Sequence, residues 1–139
     1  ELDLAQKIWT IPAERMKAGR EHRVALSDAA VALLNSVPQV EGCDFIFPGM
    51  KSTTPMSDMT LTAVLRRMDR GDITVHGFRS TFRDWAAEET NYPHEVAEMA
   101  LAHSVGNKVE AAYRRGDLLP KRFDLMNAWA LRCFDNGEK

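Results

Sequence analysis

His76 and Arg79 stand three positions apart in the segment His76-Gly77-Phe78-Arg79, at the predicted start of a helix. Residues i and i+3 share one face of a helix, and a helix N-terminus attracts anions. An arginine binds a phosphate through two parallel N–H groups, and a histidine adds a hydrogen bond or a proton. The pair therefore suits phosphate chemistry, although this spacing is also common by chance.

A second group of candidate residues comprises His103 and, further along, Tyr113 followed by Arg114 and Arg115. A phenol has a pKa of about 10, so a tyrosine attacks at neutral pH only with cations or a base nearby. The two arginines are local cations, whereas His103 would have to be brought in by the fold. The alternative is that Tyr113 is a half-buried aromatic residue whose hydroxyl faces water.

Other polar residues allow structural as well as chemical roles. Lys17, taken alone, is one of many surface lysines. His22 is expected to support a predicted β-hairpin rather than to catalyse. Arg83 could contact a phosphate or form an ion pair with Asp84 or Glu88, which lie close to it on the same predicted helix.

The charge of the chain is unevenly distributed. The net charge of −2 over 139 residues argues mildly against a nucleic-acid partner. However, residues 14–25, 61–83 and 101–123 carry net charges of +2, +3 and +3, whereas residues 84–100 carry −5. The fold could present the basic blocks on one face, or all four could be solvated faces of ordinary helices.

The composition, 45% hydrophobic and 27% charged, is typical of one globular domain with one core. No apolar run reaches the roughly 18 residues of a membrane span, so we expect a cytoplasmic protein. Neither Cys43 nor Cys133 has the close Cys/His spacing of a zinc site. The chain also offers no carboxylate cluster for a metal, and we expect neither a metal nor a cofactor.

The predicted elements define an α+β domain that is mainly α-helical, with a small antiparallel β-sheet near the N-terminus. Two strands, at 8–12 and 21–26, form a long-looped hairpin, and residues 45–47 form a short buried strand before a loop at 48–56. Helices are predicted at 27–36, from a cap at 57–58 to Gly71, at 77–89, from Pro93 onward, at 108–115 and at 121–134.

Apolar periodicity predicts which faces of two of these helices are buried. The inner face of the helix that follows 57–58 is predicted to comprise Met59, Leu61, Val64, Leu65 and Met68. One side of the last helix is predicted to comprise Phe123, Met126, Trp129, Ala130 and Phe134.

Taken together, these motifs resemble the tyrosine recombinases of the phage-integrase type. The resemblance rests on residues 9–17 (Trp-Thr-Ile-Pro-Ala-Glu-Arg-Met-Lys), 22–27, 45–48 (Phe-Ile-Phe-Pro), 76–79, 101–103 and 112–114. Each segment alone is a weak signal, but six segments in the right order and spacing are specific. The likeness runs from about residue 2 to about residue 130, and the branch that it most resembles is that of prophage and genomic-island integrases.

The resemblance implies the DNA breaking-rejoining catalytic fold and a role for five residues. Tyr113 would attack the scissile phosphate and form a 3′-phosphotyrosyl bond. Arg79 would hold the non-bridging oxygens, and His103 would hydrogen-bond the phosphate. His76 would assist proton transfer, and Lys17, on the hairpin loop, would protonate the leaving 5′-oxygen.

The resemblance also implies double-stranded DNA at attachment sites as the partner, and a homotetramer on that DNA. A free monomer stays open, as does packing of residues 121–134 within one chain or onto a neighbour. Four residues are candidate DNA-phosphate contacts: Arg66, Arg67, Lys108 and Arg114.

We expect residues 1–139 to form a single C-terminal catalytic domain truncated at its N-terminal side. The family uses a further arginine in a segment before the hairpin, and nothing before Lys7 is basic; the fragment alone is therefore expected to be inactive. Alternatives are a DNA-binding module without catalysis and a protein-interaction module. A type I topoisomerase shares the chemistry, but the match over residues 8–27 favours an integrase.

Overall fold

The computed structural model describes residues 1–51, 53–103 and 116–134. Its elements within these ranges are the strands β1 (Leu2–Asp3), β2 (Ile8–Ile11) and β3 (His22–Ala25) and the helices α1 (Asp28–Ser36), α2 (Met59–Arg67), α3 (Gly77–Glu88), α4 (His94–Ala100) and α5 (Leu119–Phe134). The architecture is α+β and mainly helical, with the small antiparallel sheet near the N-terminus that the sequence predicts.

The three strands form one antiparallel sheet in the order β1-β2-β3. The predicted hairpin is confirmed: β2 pairs with β3, and Ile11 lies opposite His22. Its long connection begins with a 3-10 turn, Ala13–Arg15, and includes Gly19 at a φ of 60°, a conformation that glycine adopts without steric cost. Strand β1 was not predicted, because two residues are too few to show an alternating pattern.

Helix α1 begins where the sequence predicts. The Ser27 hydroxyl accepts a hydrogen bond from the Ala30 N–H at 3.2 Å, which satisfies a backbone donor that the first turn leaves unpaired. The next residue, Asp28, accepts from Lys7 Nζ at 2.6 Å, and its N–H donates to Asn127 Oδ1 at 2.9 Å. These contacts join α1 to the loop before β2 and to α5.

The hydrophobic core lies where α3, α4 and α5 meet. Its buried residues are Phe82, Trp85, Ala86, Val96, Ala97, Leu101 and Leu125. Trp129 packs edge-on against Phe82, with ring centroids 5.5 Å apart. The predicted inner face of the last helix is therefore correct at Met126 and Trp129, which pack against this core. It is wrong at Phe134, which is 69% exposed at the helix end.

Two predictions in the middle of the chain are wrong. Residues 45–47 form no strand, and Phe45 and Phe47 are exposed, because no neighbouring strand pairs with them; the only bridge in this part of the described chain joins Pro48 to Pro55. The prediction for α2 fails in a similar way.

Helix α2 exposes most of its predicted inner face. Met59, Leu61 and Met68 are exposed, because α2 packs loosely on the other described elements and its apolar side has little to cover it. The helix also ends before Gly71, at Arg67, and Asp69 takes the left-handed φ of 54° that ends it. In the described ranges, no helix combines the length and the apolar character that crossing a bilayer would require.

Candidate active site

The start of α3 presents His76 and Arg79. The Gly77 N–H donates to the Thr74 hydroxyl at 3.1 Å and to the Thr74 carbonyl at 3.0 Å. His76 is the residue before the first helical one, and its side chain makes no capping hydrogen bond. Because Thr74 supplies the cap, the exposed imidazole of His76 is not used to start the helix. Arg79 follows one turn later, and its N–H donates to the His76 carbonyl at 3.0 Å.

The guanidinium of Arg79 reaches the end of α4. Its Nη2 donates to the Leu101 carbonyl oxygen at 2.6 Å and lies 2.8 Å from His103 Nε2. An arginine has donors only, so Nε2 must accept in this contact and the ring proton must be on Nδ1. The fold thus brings together two residues that the sequence assigned to one phosphate.

A reversal of the chain after α4 places His103 at this position. Ala102 takes the left-handed φ of 57°, its N–H donates to the Met99 carbonyl at 3.2 Å, and the His103 N–H donates to the Glu98 carbonyl at 2.9 Å. This pattern is that of a Schellman motif, which satisfies the last carbonyls of a helix. It turns His103 back over the end of α4 toward α3.

Glu98 is the carboxylate that contacts Nδ1 of His103, and the sequence analysis missed it. Its side chain is only 11% exposed. One carboxylate oxygen accepts from Arg83 Nε at 2.7 Å and lies 3.5 Å from His94 Nε2, and the other lies 2.9 Å from His103 Nδ1. The hydrogen bond from Arg83 lowers the pKa of Glu98 below its usual 4.5, against the effect of burial.

The ion pair of Arg83 corrects an expectation. The sequence offered Asp84 or Glu88, both close by on α3, as its partner. The structure pairs Arg83 with Glu98 of the neighbouring helix instead. The available signal was that Glu98 lies in the strongly acidic block 84–100, but nothing in that block distinguishes it from the other acidic residues.

A second polar cluster lies beside the sheet, around the buried Arg122, which is 1% exposed. Its Nη1 donates to the Arg23 carbonyl oxygen at 2.5 Å and its Nη2 to Asp117 Oδ2 at 2.9 Å. The same oxygen of Asp117 accepts from Arg23 Nε at 2.9 Å. Burial lowers the pKa of Arg122. The sequence analysis counted Arg122 only as one charge of a basic block.

Two groups near Arg122, Asp117 and His22, have pKa values that differ from their ordinary ones. Burial alone would raise the pKa of Asp117, but the hydrogen bond from Arg23 and the charge of Arg122 outweigh it and lower the pKa. His22, partly buried at the start of β3, has a lowered pKa, first because of burial and then because of the Arg122 charge. The hydrogen bond from Arg122 to the Arg23 carbonyl oxygen ties the hairpin to α5.

The remaining candidates are exposed or fall outside the described residues. Lys17 is exposed in the β2–β3 connection, and no hydrogen bond or ion pair links it to another described residue. Arg66 and Arg67 are exposed in the last turn of α2. Three candidates, Tyr113, Lys108 and Arg114, lie outside the described residues. Over 1–51, 53–103 and 116–134, no three His, Cys, Asp or Glu side chains are grouped as metal ligands.

Known proteins place this chain in a family. The sequence profile of the phage integrase family matches residues 1–118. The prophage integrase IntA of Escherichia coli (strain K12) is 42% identical over 142 residues, which cover 99% of this chain and 34% of that relative. The integrase of Enterobacteria phage P4 is 34% identical over 148 residues, which cover 94% of this chain and 34% of that relative.

A third relative, the prophage integrase IntZ of Escherichia coli (strain K12), is 34% identical over 131 residues, 93% of this chain and 32% of its own length. The chain thus spans about a third of the length of these relatives. No solved structure matches it. The order and spacing of the sequence motifs agree with these similarities, and the chain belongs to the phage integrase family.

Proposed function

We propose that this chain is the catalytic segment of a tyrosine-type site-specific DNA recombinase, with the breaking-rejoining catalytic fold. It cleaves and rejoins DNA through a 3′-phosphotyrosyl intermediate during integration and excision of a mobile element. The observation that supports this most is the 2.8 Å contact between Arg79 Nη2 and His103 Nε2. Residues far apart in the sequence, each suited to a phosphate, meet at one point.

In the proposed first step, the Tyr113 hydroxyl passes its proton to His76, its oxygen bonds to the scissile phosphorus and the bond to the 5′-oxygen breaks. Negative charge grows on the non-bridging oxygens, where Arg79 and His103 act as fixed donors. By analogy with oxyanion holes, losing one such donor costs about 3–4 kcal/mol of transition-state stabilisation. Lys17 gives its proton to the leaving 5′-oxygen, a step worth about 10²–10⁴-fold in rate.

The second step reverses the first. A 5′-hydroxyl of the partner DNA strand attacks the phosphotyrosine, passes its proton back to Lys17 and releases Tyr113, to which His76 returns the proton taken in the first step. The number of phosphodiester bonds is unchanged over the two steps, so no external energy source is needed. An arginine carries five N–H donors, so Arg79 can hold two phosphate oxygens while one N–H of its Nη2 stays on the Leu101 carbonyl oxygen.

Duplex DNA at an attachment site is the proposed substrate, and a homotetramer on that DNA is the proposed active assembly. The proposed phosphate contacts outside the active site are Arg66, Arg67, Lys108 and Arg114. Contacts of this kind position the duplex without reading its sequence. Each also steepens the fall of affinity with salt, since it releases about 0.9 counterions.

A chimera tests the proposal. Residues 1–139 replace the matching 142 residues of the E. coli prophage integrase IntA, so that the rest of a complete integrase surrounds them. The substrate is a nicked duplex that carries the site on which that integrase acts, which traps the covalent adduct once cleavage releases a short strand. We expect an adduct on a denaturing gel, with Tyr113 as the modified residue.

The matched control is the other tyrosine of the chain, Tyr92, which packs partly against the core. Tyr113→Phe should abolish the adduct, whereas Tyr92→Phe should retain it. A Tyr113→Phe chimera that still forms the adduct, or an intact chimera that binds the site without forming one, refutes the catalytic proposal; the second result would indicate a DNA-binding module. We expect residues 1–139 alone to form no adduct.

A further inference from the structure

We propose that Glu98 is a positioning residue, which fixes the orientation and the tautomer of His103 at the phosphate site. The catalytic meaning of this inference rests on the proposed function, but its structural content does not. Three contacts carry it: Arg83 to Glu98, Glu98 to His103 and His103 to Arg79.

The chain of contacts permits only one arrangement of protons. Arg79 has no acceptor, so His103 Nε2 must accept from it. An ionised carboxylate has no donor, so His103 Nδ1 must donate to Glu98. Both ends of the ring independently require the proton to be on Nδ1. Since each end constrains the ring, its rotation is fixed as well.

The backbone of Glu98 acts on the same histidine. Its carbonyl oxygen accepts the His103 N–H at 2.9 Å in the turn that follows α4. Glu98 therefore holds both the main chain and the ring of His103. These two contacts connect residues five positions apart, which the left-handed Ala102 makes possible.

The burial of Glu98 points beyond a purely structural role. Carboxylates are almost never this buried unless they are paired, because removing the charge from water is costly. An apolar residue between two packed helices often stabilises a fold as well as an ion pair does. A buried carboxylate aimed at a histidine of a phosphate site instead matches the general arrangement in which a carboxylate orients an imidazole and stabilises the imidazolium that forms.

Glu98 also suits the step that follows phosphate binding. His103 can donate to a phosphate oxygen only when Nε2 carries a proton, and Nε2 accepts from Arg79 in the structure. When the phosphate takes the Arg79 donor that now faces His103, Nε2 is released and takes a proton from water, while Nδ1–H stays on Glu98. Among the described residues, the charged and titratable groups around this ring are Glu98 and His94 from α4 and Arg79 and Arg83 from α3.

Glu98→Gln tests the tautomer directly. A primary amide has a single oxygen acceptor, and Arg83 and His103 Nδ1–H would both need it. The positively charged Arg83 takes the oxygen, so the amide N–H₂ faces His103 Nδ1, which must then accept. The proton moves to Nε2, where it opposes the Arg79 donor. Glu98→Asp keeps two acceptors and should keep the proton on Nδ1.

The first experiment is ¹⁵N NMR of the histidine rings in residues 1–139, at about pH 8, above the usual histidine pKa of about 6.5. We expect Nδ1–H at His103 in the unmodified chain and in Glu98→Asp, and Nε2–H in Glu98→Gln. An Nε2–H tautomer in the unmodified chain overturns the inference. This measurement needs neither DNA nor catalysis, and the unmodified chain alone decides it if a variant fails to fold.

The second experiment measures single-turnover adduct formation in the chimera. Glu98→Gln should slow it about 10–100-fold, by analogy with the loss of partners that orient metal-bound histidines, and Glu98→Asp should recover part of the loss. The control is Glu89→Gln, which removes a carboxylate paired with Arg132 at the surface and should leave the rate unchanged. Unfolding midpoints of all variants identify losses that are due to stability.

The two proposals fail in different ways. If the unmodified chimera forms no adduct, the recombinase proposal fails, and the NMR result still decides the role of Glu98. If the adduct forms and Glu98→Gln keeps both its rate and the Nδ1–H tautomer, the recombinase proposal stands and Glu98 is not a positioning residue.

Discussion

Removing the acidic partner of the buried Arg122 should destabilise the fold more than removing Arg122 itself. Arg122 is 1% exposed, and its guanidinium is held by Asp117 and the Arg23 carbonyl. The Asp117 side chain, in contrast, is 35% exposed and also pairs with Arg23 at 2.7 Å. Asp117 therefore keeps water and Arg23 as partners if Arg122 is removed. Arg122 is closed off from water if Asp117 is removed.

The magnitudes follow from that difference. Asp117→Asn leaves a buried guanidinium opposite a neutral group, and breaking a buried pair in this way costs about 3–5 kcal/mol. Arg122→Met removes the buried charge together with its desolvation penalty, and Asp117 keeps Arg23. What remains is the Arg23 carbonyl without its donor, which costs about 1–3 kcal/mol. We therefore expect Asp117→Asn to exceed Arg122→Met by about 2 kcal/mol.

Urea unfolding of residues 1–139, followed by tryptophan fluorescence, measures both variants. Because each kcal/mol shifts the midpoint of a domain of this size by about 3–5 °C, thermal scans should also separate them. The double variant should lie near Arg122→Met rather than at the sum of both losses, since the two residues interact directly. Arg122→Met at least as destabilising as Asp117→Asn would contradict the reasoning.

Two further predictions concern His22 and Ala102. Burial lowers the pKa of His22 below 6.5, so the unfolded state binds the proton more readily than the folded state. The contribution of His22 to stability is therefore complete above about pH 6.5 and falls as the pH decreases through the folded pKa. His22→Gln should flatten the pH dependence of the urea midpoint between about pH 7 and pH 5, and an unchanged slope would contradict this. Ala102→Gly should stabilise the chain by up to about 1 kcal/mol, because a left-handed alanine is strained and a glycine is not; a lower unfolding midpoint would count against strain at this position.

Local signals account for the elements that the sequence predicted well. The hairpin is specified by two short apolar stretches on either side of a polar, glycine-containing connection, and the start of α1 by Ser27, which caps it as expected. Such signals act within a few residues. Residues 45–47 and helix α2 carry equally apolar patterns, yet most of their large side chains are exposed. An apolar pattern is buried only if another element covers it, and that depends on contacts distant in sequence.

The active-site candidates also divide into those with a local sequence signal and those that depend on contacts made by the fold. The type and spacing of His76 and Arg79 are visible in the sequence, and the family resemblance adds His103. Glu98 could not be found in this way, since its side chain reaches His103 only because the chain reverses at Ala102. An alanine carries no sequence signal for a left-handed turn, unlike the glycine that usually occupies this position.

Charge blocks counted along the sequence overstate the surface that is available to DNA. The basic block 101–123 includes Arg122, which is buried, and the acidic block 84–100 includes Glu98, whose side chain is almost covered. Arg83, counted in the basic block 61–83, is committed to Glu98. These charges stabilise and orient groups inside the domain and contribute little to long-range attraction, because each is compensated at short range. The proposed phosphate recognition therefore depends on a few placed donors, near the start of α3 and just after the end of α4, rather than on the net charge of −2.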